Sequence, residues 1–312
     1  MNLDTEDLLL LWATRQTGVL EALLDGAGTP EAVAEETGVT ERAARITIEA
    51  LADLGLFYEG EGPSDSSGES TYEPTNAALG LLTTRDVRSI GSLPHRLDCL
   101  ENWLALPETM YGSRSPTDTA DNPRHFAGAM ATIDDATVRI CVTEAIHARP
   151  RPDRVLDVGG GPGRFAVEFA SRGSDVTLLD RPAMIDAVAD HLEPTSVELV
   201  AGDALDELPT GFDLAFLGRL CHGFGPDENQ ALFENAFEAL DAGGAVVAVD
   251  YVRGRSDRAA SFAAHMLAQT TAGDVYGEDE FHDWLAKAGF EEADVRDVPG
   301  TTLQAVIGHK PA

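Results

Sequence analysis

An acid and four glycines sit close together in the run Arg154-Val-Leu-Asp157-Val-Gly159-Gly160-Gly161-Pro-Gly163. Glycine lets the backbone take φ > 0 and pass close to a ligand with no Cβ in the way. The preceding Val155 to Val158 has the aliphatic, β-branched character of a buried parallel strand. Phe165, Ala166 and Phe169 follow at helical spacing, with Gly173 as the stop. A strand, a glycine turn and a helix in this order open a nucleotide-type site in an α/β sheet. Two ligands suit the spacing. Gly161-x-Gly163-x-x-Ala166 satisfies the dinucleotide pattern. Gly159-x-Gly161-x-Gly163 behind Asp157 is the arrangement used for S-adenosyl-L-methionine (SAM), which has no pyrophosphate and needs slimness from its loop.

More polar residues fall at the ends of the strands that follow. Asp180 closes Val176 to Leu179 and can accept hydrogen bonds from both ribose hydroxyls; capping the helix after Pro182 is the plainer alternative. Val197 to Val200 is a third strand. Beyond it Asp203 can receive an adenine amino group while the Ala204 amide faces a ring nitrogen. Phe212 to Leu217 is a fourth strand, which leaves His222 at the carboxyl edge where ligands bind in open α/β sheets. An imidazole titrates near neutrality and can take a hydroxyl proton. The alternative is that His222 caps the next helix or bonds a backbone carbonyl. Asp250, after the fifth strand from Ala245 to Val249, is placed to orient it.

The tail separates the two ligands. Phe281, Trp284, Leu285 and Ala288 mark a helix closed by Gly289. Ala293 to Val298 and Thr302 to Ile307 then form two strands joined through Pro299-Gly300. A connection that short excludes a parallel crossover, so the last strand runs antiparallel. That is the methyltransferase variant of the sheet, and SAM is the expected cofactor. The fold class is therefore α/β, a Rossmann-like sheet of seven strands with an antiparallel last strand, plus a mainly α N-terminal domain.

That N-terminal domain, residues 1–90, reads as a winged helix. Leu8, Leu11, Trp12, Val19, Leu20, Leu23 and Leu24 make a helical stripe interrupted near Gly18. Thr29 and Thr40 cap two further helices ending at Gly38 and Gly55. Two short strands, Leu56 to Tyr58 and Thr71 to Glu73, flank a polar tip. The helix in the recognition position carries Glu41, Arg42, Arg45, Glu49 and Asp53, and the wing carries Glu59, Glu61, Asp65 and Glu69. Phosphate neutralisation needs the opposite sign. The domain is therefore expected to join two subunits as a homodimer rather than to read DNA, with the Leu and Trp residues of its first helix as the contact; the alternative is that they are internal core. Residues 91–150 read as a helical connector and pocket wall, with a helix running on from His125–Met130 through Val138 and Ile146. Residues 151–312 form the SAM-binding domain.

Composition limits the partners. The 312 residues include 54 Asp and Glu against 22 Lys and Arg, a formal charge of −32. Such a surface repels nucleic acid and anionic membranes. Hydrophobic residues make up 43% of the chain, enough with its clear periodicity to exclude general disorder. The acidity resembles that of proteins from halophilic archaea, since molar salt screens repulsion to within ~3 Å. Cys99, Cys141 and Cys221 lack metal-ligand spacing and suit a reducing cytosol. Leu8 to Trp12 is too short to span a bilayer, and a soluble, cytoplasmic protein is expected.

Together these motifs resemble the class I SAM-dependent methyltransferases of the hydroxyindole and caffeate O-methyltransferase type. The resemblance rests on Gly18-Val-Leu-Glu-Ala-Leu23, Leu51-Ala-Asp-Leu-Gly-Leu56, Phe126-x-x-x-Met130, Leu156-Asp-Val-Gly-Gly-Gly-Pro-Gly163, Gly202-Asp203, Leu208-Pro209, Asp227-Glu228, Ala242-Gly-Gly244 and Ala288-Gly-Phe290. It implies that Gly159 and Gly161 line the SAM loop, Asp180 holds the ribose, and Asp203 with Ala204 holds the adenine. It also implies that His222 is the general base and that Phe126, Met130 and Met266 line the acceptor pocket. The chain departs from the family at Gly223 and Phe224, where Asp and Trp are common, and at Gly218, where a basic residue is common and Arg219 stands one step away. A second acid that holds the base in plant members falls at Val275. The implied reaction is methyl transfer to a hydroxyl of a small cyclic or aromatic acceptor. Transfer to nitrogen or carbon, and SAM binding without turnover, are the alternatives.

Overall fold

Capping side chains start three of the four N-terminal helices, as short polar residues do when they accept an orphan amide. Asp4 accepts from the Asp7 amide at the head of α1 (Thr5–Gln16). Thr29 and Thr40 do the same for α3 (Pro30–Thr37) and α4 (Glu41–Asp53). Gly18, at φ 75°, makes the left-handed turn between α1 and α2 (Val19–Asp25). An antiparallel pair, β1 (Phe57–Gly60) and β2 (Thr71–Pro74), completes the unit. The computed structural model describes residues 3–60, 71–82, 91–117 and 122–312, so the wing tip with Glu61, Asp65 and Glu69 lies outside the described residues. Leu11, Leu20, Leu23, Val33, Ile48 and Phe57 bury one another in a common core. For these residues of the first helix the internal-core alternative holds: Leu11 is wholly internal, and Leu8 and Trp12 pack against the same core.

Helices α5 (Asn76–Leu82), α6 (Leu93–Leu104), α7 (Leu106–Met110), α8 (Pro123–Met130) and α9 (Asp135–Ala148) lead to the sheet. The helix expected to run on from His125 is two helices, because Asp134 leaves the helical conformation to cap α9. Val138, Cys141, Val142 and Ala145 of α9 are buried in the core under one face of the sheet.

The sheet contains β3 (Arg154–Val158), β4 (Asp175–Asp180), β5 (Glu198–Ala201), β6 (Phe212–Gly218), β7 (Leu240–Asp250), β8 (Glu291–Asp297) and β9 (Gln304–His309). Their spatial order is β5-β4-β3-β6-β7-β9-β8, and β3 pairs in parallel with both β4 and β6. The order therefore reverses beside β3, opening a crevice at the carboxyl ends of β3 and β6. β9 runs antiparallel between β7 and β8. Side chains of a strand alternate between faces. Val155 accordingly joins the core under α9, α10 (Arg164–Ser171) and α11 (Pro182–Leu192). Leu156 and Val158 join the opposite core, under α12 (Pro226–Ala239) and α14 (Glu278–Ala288). Phe216 packs against Phe165 at 5.1 Å and Phe169 at 5.2 Å between ring centres, which pins α10 to the sheet. Burying a ring of this size stabilises by roughly 1.5–3 kcal/mol. Helix α13 (Ala259–Gln269) returns across the mouth of the crevice and packs on α6. Among the described residues no helix is long and apolar enough to cross a membrane.

Candidate active site

Above the carboxyl ends of β3, β4, β5 and β6 lies a cavity of about 580 Å³. The glycine turn forms its floor. Gly159 has φ 65°, and a Cβ there would sit 2.6 Å from Leu220 Cδ1. Gly161 has φ 52° and nothing within 4 Å of the place a Cβ would take, so its bare backbone faces open space in the cavity wall. Its N–H donates to Asp180 Oδ2 at 2.8 Å. The other Asp180 oxygen accepts the Arg181 amide at 2.7 Å. Asp180 does not cap α11, whose N-cap is Arg181 with no side-chain bond. Two accepted bonds leave a carboxylate further lone pairs for hydroxyl donors. Burial pushes its carboxyl above the ordinary range, opposed by the Gly161 and Arg181 amides.

Asp203 Oδ1 accepts the Leu205 amide at 2.9 Å, a tight turn that fixes the loop after β5. Both Asp203 and Ala204 line the cavity, as does Arg219. Arg219 adopts φ 58°, a conformation costing a non-glycine residue about 1–3 kcal/mol. The Val249 carbonyl holds its amide at 2.8 Å. The shift of the cation from position 218 to 219 has a steric cause. A Cβ at Gly218 would lie 2.7 Å from the Phe216 ring and 2.9 Å from the Phe165 ring.

Asp157, expected at the cofactor, is not part of the cavity wall. It shares the face of β3 that carries Val155, so it is wholly buried behind the turn, where a Cβ on Gly160 would come within 2.8 Å of its Oδ2. Neither oxygen has a hydrogen bond of normal geometry among the described residues. Burial, reinforced by the charge of Asp180 and opposed by the Ala166 amide, pushes its carboxyl up to about 8.

His222 lies in a single 3-10 turn, Cys221–Gly223, beyond β6. Its Nδ1 is 2.8 and 2.9 Å from the two oxygens of Asp250, the last residue of β7. Asp250 is 1% exposed and also accepts the amides of His222 and Tyr251. A carboxylate only accepts, so Nδ1 carries the proton and Nε2 keeps its lone pair. The ring stands edge-on to Phe262 at 4.7 Å and borders the cavity. His222 caps nothing: Gly225 is the N-cap of α12, and its amide bonds Glu228. Val275 is buried and lies outside the cavity wall.

Phe126 and Met130 of α8 and Met266 of α13 form the apolar side of the same cavity. Sequence reasoning missed His95, Phe262, His265 and Gln269, which border it too. A signal existed for three of them. Phe262, His265, Met266 and Gln269 fall at i, i+3, i+4 and i+7, one face of a helix.

The glycine turn, Asp180 and Asp203 lie on one side of the cavity and a carboxylate-held imidazole on the other, at the carboxyl edge of an open α/β sheet. The family model of O-methyltransferase domains matches residues 110–291; the chain belongs to that family, whose methyl donor is SAM. It is 24% identical over 311 residues to 3-hydroxy-5-methyl-1-naphthoate 3-O-methyltransferase of Streptomyces sahachiroi, covering 90% of this chain and 87% of that one. It is 28% identical over 303 residues to the tetracenomycin polyketide synthesis 8-O-methyltransferase of Streptomyces glaucescens, covering 89% and 85%. Among solved structures, human N-acetylserotonin methyltransferase in complex with SAM superposes with a TM-score of 0.63 at 19% identity, covering 98% and 94%.

Proposed function

We propose that this enzyme methylates a hydroxyl of a small cyclic or aromatic acceptor and that His222 Nε2 takes the hydroxyl proton. The observation that carries the reading is the Asp250–His222 pair beside an apolar cavity. The cavity suits SAM: bare Gly161 admits close approach, Asp180 keeps lone pairs for the ribose, and Asp203 with Ala204 stands where an adenine edge would lie. Gly159 gives the loop its turn, Asp157 supports it from behind, and Arg219 is a cation in the cavity wall. SAM supplies a methyl group on a sulfonium, already a good leaving group. The residues of this chain therefore accelerate transfer chiefly by positioning. Phe126, Met130 and Met266 hold the acceptor ring, and the buried Asp250 keeps His222 in the tautomer with a free Nε2. His222 Nε2 would take the hydroxyl proton as the acceptor oxygen is methylated.

A methyl-transfer screen of hydroxylated aromatic compounds in molar salt, with product mass and NMR, tests this. The expected product is a methyl ether. SAM binding with no turnover, or methyl found only on nitrogen or carbon, contradicts it.

We further propose that the N-terminal unit makes a homodimer contact through its exposed Leu9 and Ile46. Light scattering showing only monomers would refute that assignment.

A further inference from the structure

We propose that His265 recognises a second oxygen on the acceptor ring, so that the substrates are planar phenols carrying another hydroxyl or carbonyl oxygen; this rests on the function proposed above.

His265 is on α13 and His95 is on α6, two packed helices, and both imidazoles border the acceptor side of the cavity. The His265 ring is fixed by Trp103 at 6.1 Å and Phe262 at 5.8 Å. Among the described residues neither of its ring nitrogens has a hydrogen bond from the protein. His95 stands edge-on to Phe126 at 5.3 Å, and its Nε2 is 3.5 Å from Cys99 Sγ. Its Nδ1 is buried with no partner among the described residues. Buried polar groups are normally paired, and leaving one unpaired is costly. His95 Nδ1 is enclosed, whereas His265 lines the cavity with no nitrogen among the buried unpaired atoms, so His265 is the imidazole an occupant can bond.

Charge narrows what that occupant is. Burial, with the fields of His95, His222 and Arg219, lowers His265 to about 4, and burial also lowers His95. Near neutral pH His265 is therefore an uncharged ring with one N–H donor and one lone pair, able to bond either a carbonyl or a hydroxyl. The charged groups that act on His265 are His95, His222 and Arg219, with no carboxylate among them to hold an ammonium group, so oxygen is favoured over amine. Phe262 touches both His222 and His265, which puts the reacting hydroxyl and the second oxygen within the span of one small ring system.

The test uses the full chain loaded with S-adenosylhomocysteine (SAH), titrated calorimetrically with 2-naphthol and with 2,3-dihydroxynaphthalene. The diol is expected to bind about 10-fold tighter, the equivalent of one satisfied buried group. His265→Phe is expected to abolish that preference without changing SAH affinity, and His265→Gln to restore part of it. Equal binding of the two naphthols, binding of neither, or an undiminished preference in His265→Phe overturns the proposal. Each of those results with intact SAH binding leaves the cofactor assignment standing. Failure of the wild-type chain to bind SAH overturns both.

Discussion

Asp250 holds His222 through both carboxylate oxygens, 2.8 and 2.9 Å from Nδ1, and adds a bond to the His222 backbone amide at 3.2 Å. The end of β7 thus fixes both the position and the tautomer of a ring carried by the turn after β6. Asp250→Asn keeps the shape but can offer an N–H to Nδ1, which would place the ring proton on Nε2. The expected loss in kcat is on the order of 10²–10⁴-fold, the usual worth of a positioned general base. SAM affinity, measured by titration calorimetry, should not change.

The glycine turn makes a different prediction. A Cβ at Gly161 meets no protein atom within 4 Å but enters the cavity, and φ 52° is a conformation that L side chains rarely adopt. Gly161→Val should weaken SAM binding by at least ~10-fold by calorimetry. It should cost only ~1–2 kcal/mol of folding stability, the penalty for a left-handed L residue. The two readouts separate a ligand-facing glycine from a purely structural one.

Asp157 predicts a pH dependence of stability. Its carboxyl is raised from 3.8 to about 8 in the folded protein, so the fold retains a proton there that the unfolded chain has released. Its contribution is fully present below the unfolded value and is lost as pH rises through about 8. Asp157→Asn cannot ionise. Thermal scans should show the variant gaining at least ~3 °C in Tm over wild type at pH 8, and less at pH 5.5.

The formal charge of −32 sets the response to salt. Self-repulsion weakens as the Debye length falls from ~10 Å at 0.1 M to ~3 Å at 1 M. Tm should therefore rise over that range. A flat or falling profile would remove the case for adaptation to high salt.

The sheet was legible because its evidence is local. Val155 to Val158, the glycines after it and the short Pro299-Gly300 connection each state their conformation within a few residues. The strand-end rule then put Asp180, Asp203 and His222 at one edge, and the structure places all three around one cavity. What sequence could not show was facing. Asp157 has the right chemistry for a ligand contact, but strand alternation turns it into the core. Leu11 belongs to a helical stripe whose burial depends on α2, α3 and α4 folding back over it. His95 and His265 are far apart in the chain and meet only because α6 and α13 pack together. The cation at Arg219, rather than at Gly218, follows from two phenylalanine rings contributed by separate elements.

The central claim is that His222 Nε2 accepts the proton lost by the acceptor. Its most direct test is the single-turnover rate of methyl transfer by His222→Ala, with SAM and the phenolic acceptor both saturating. The account predicts a fall of at least ~10²-fold with SAM affinity intact and partial recovery on adding imidazole. A rate equal to that of wild type, with the same affinity, would contradict it.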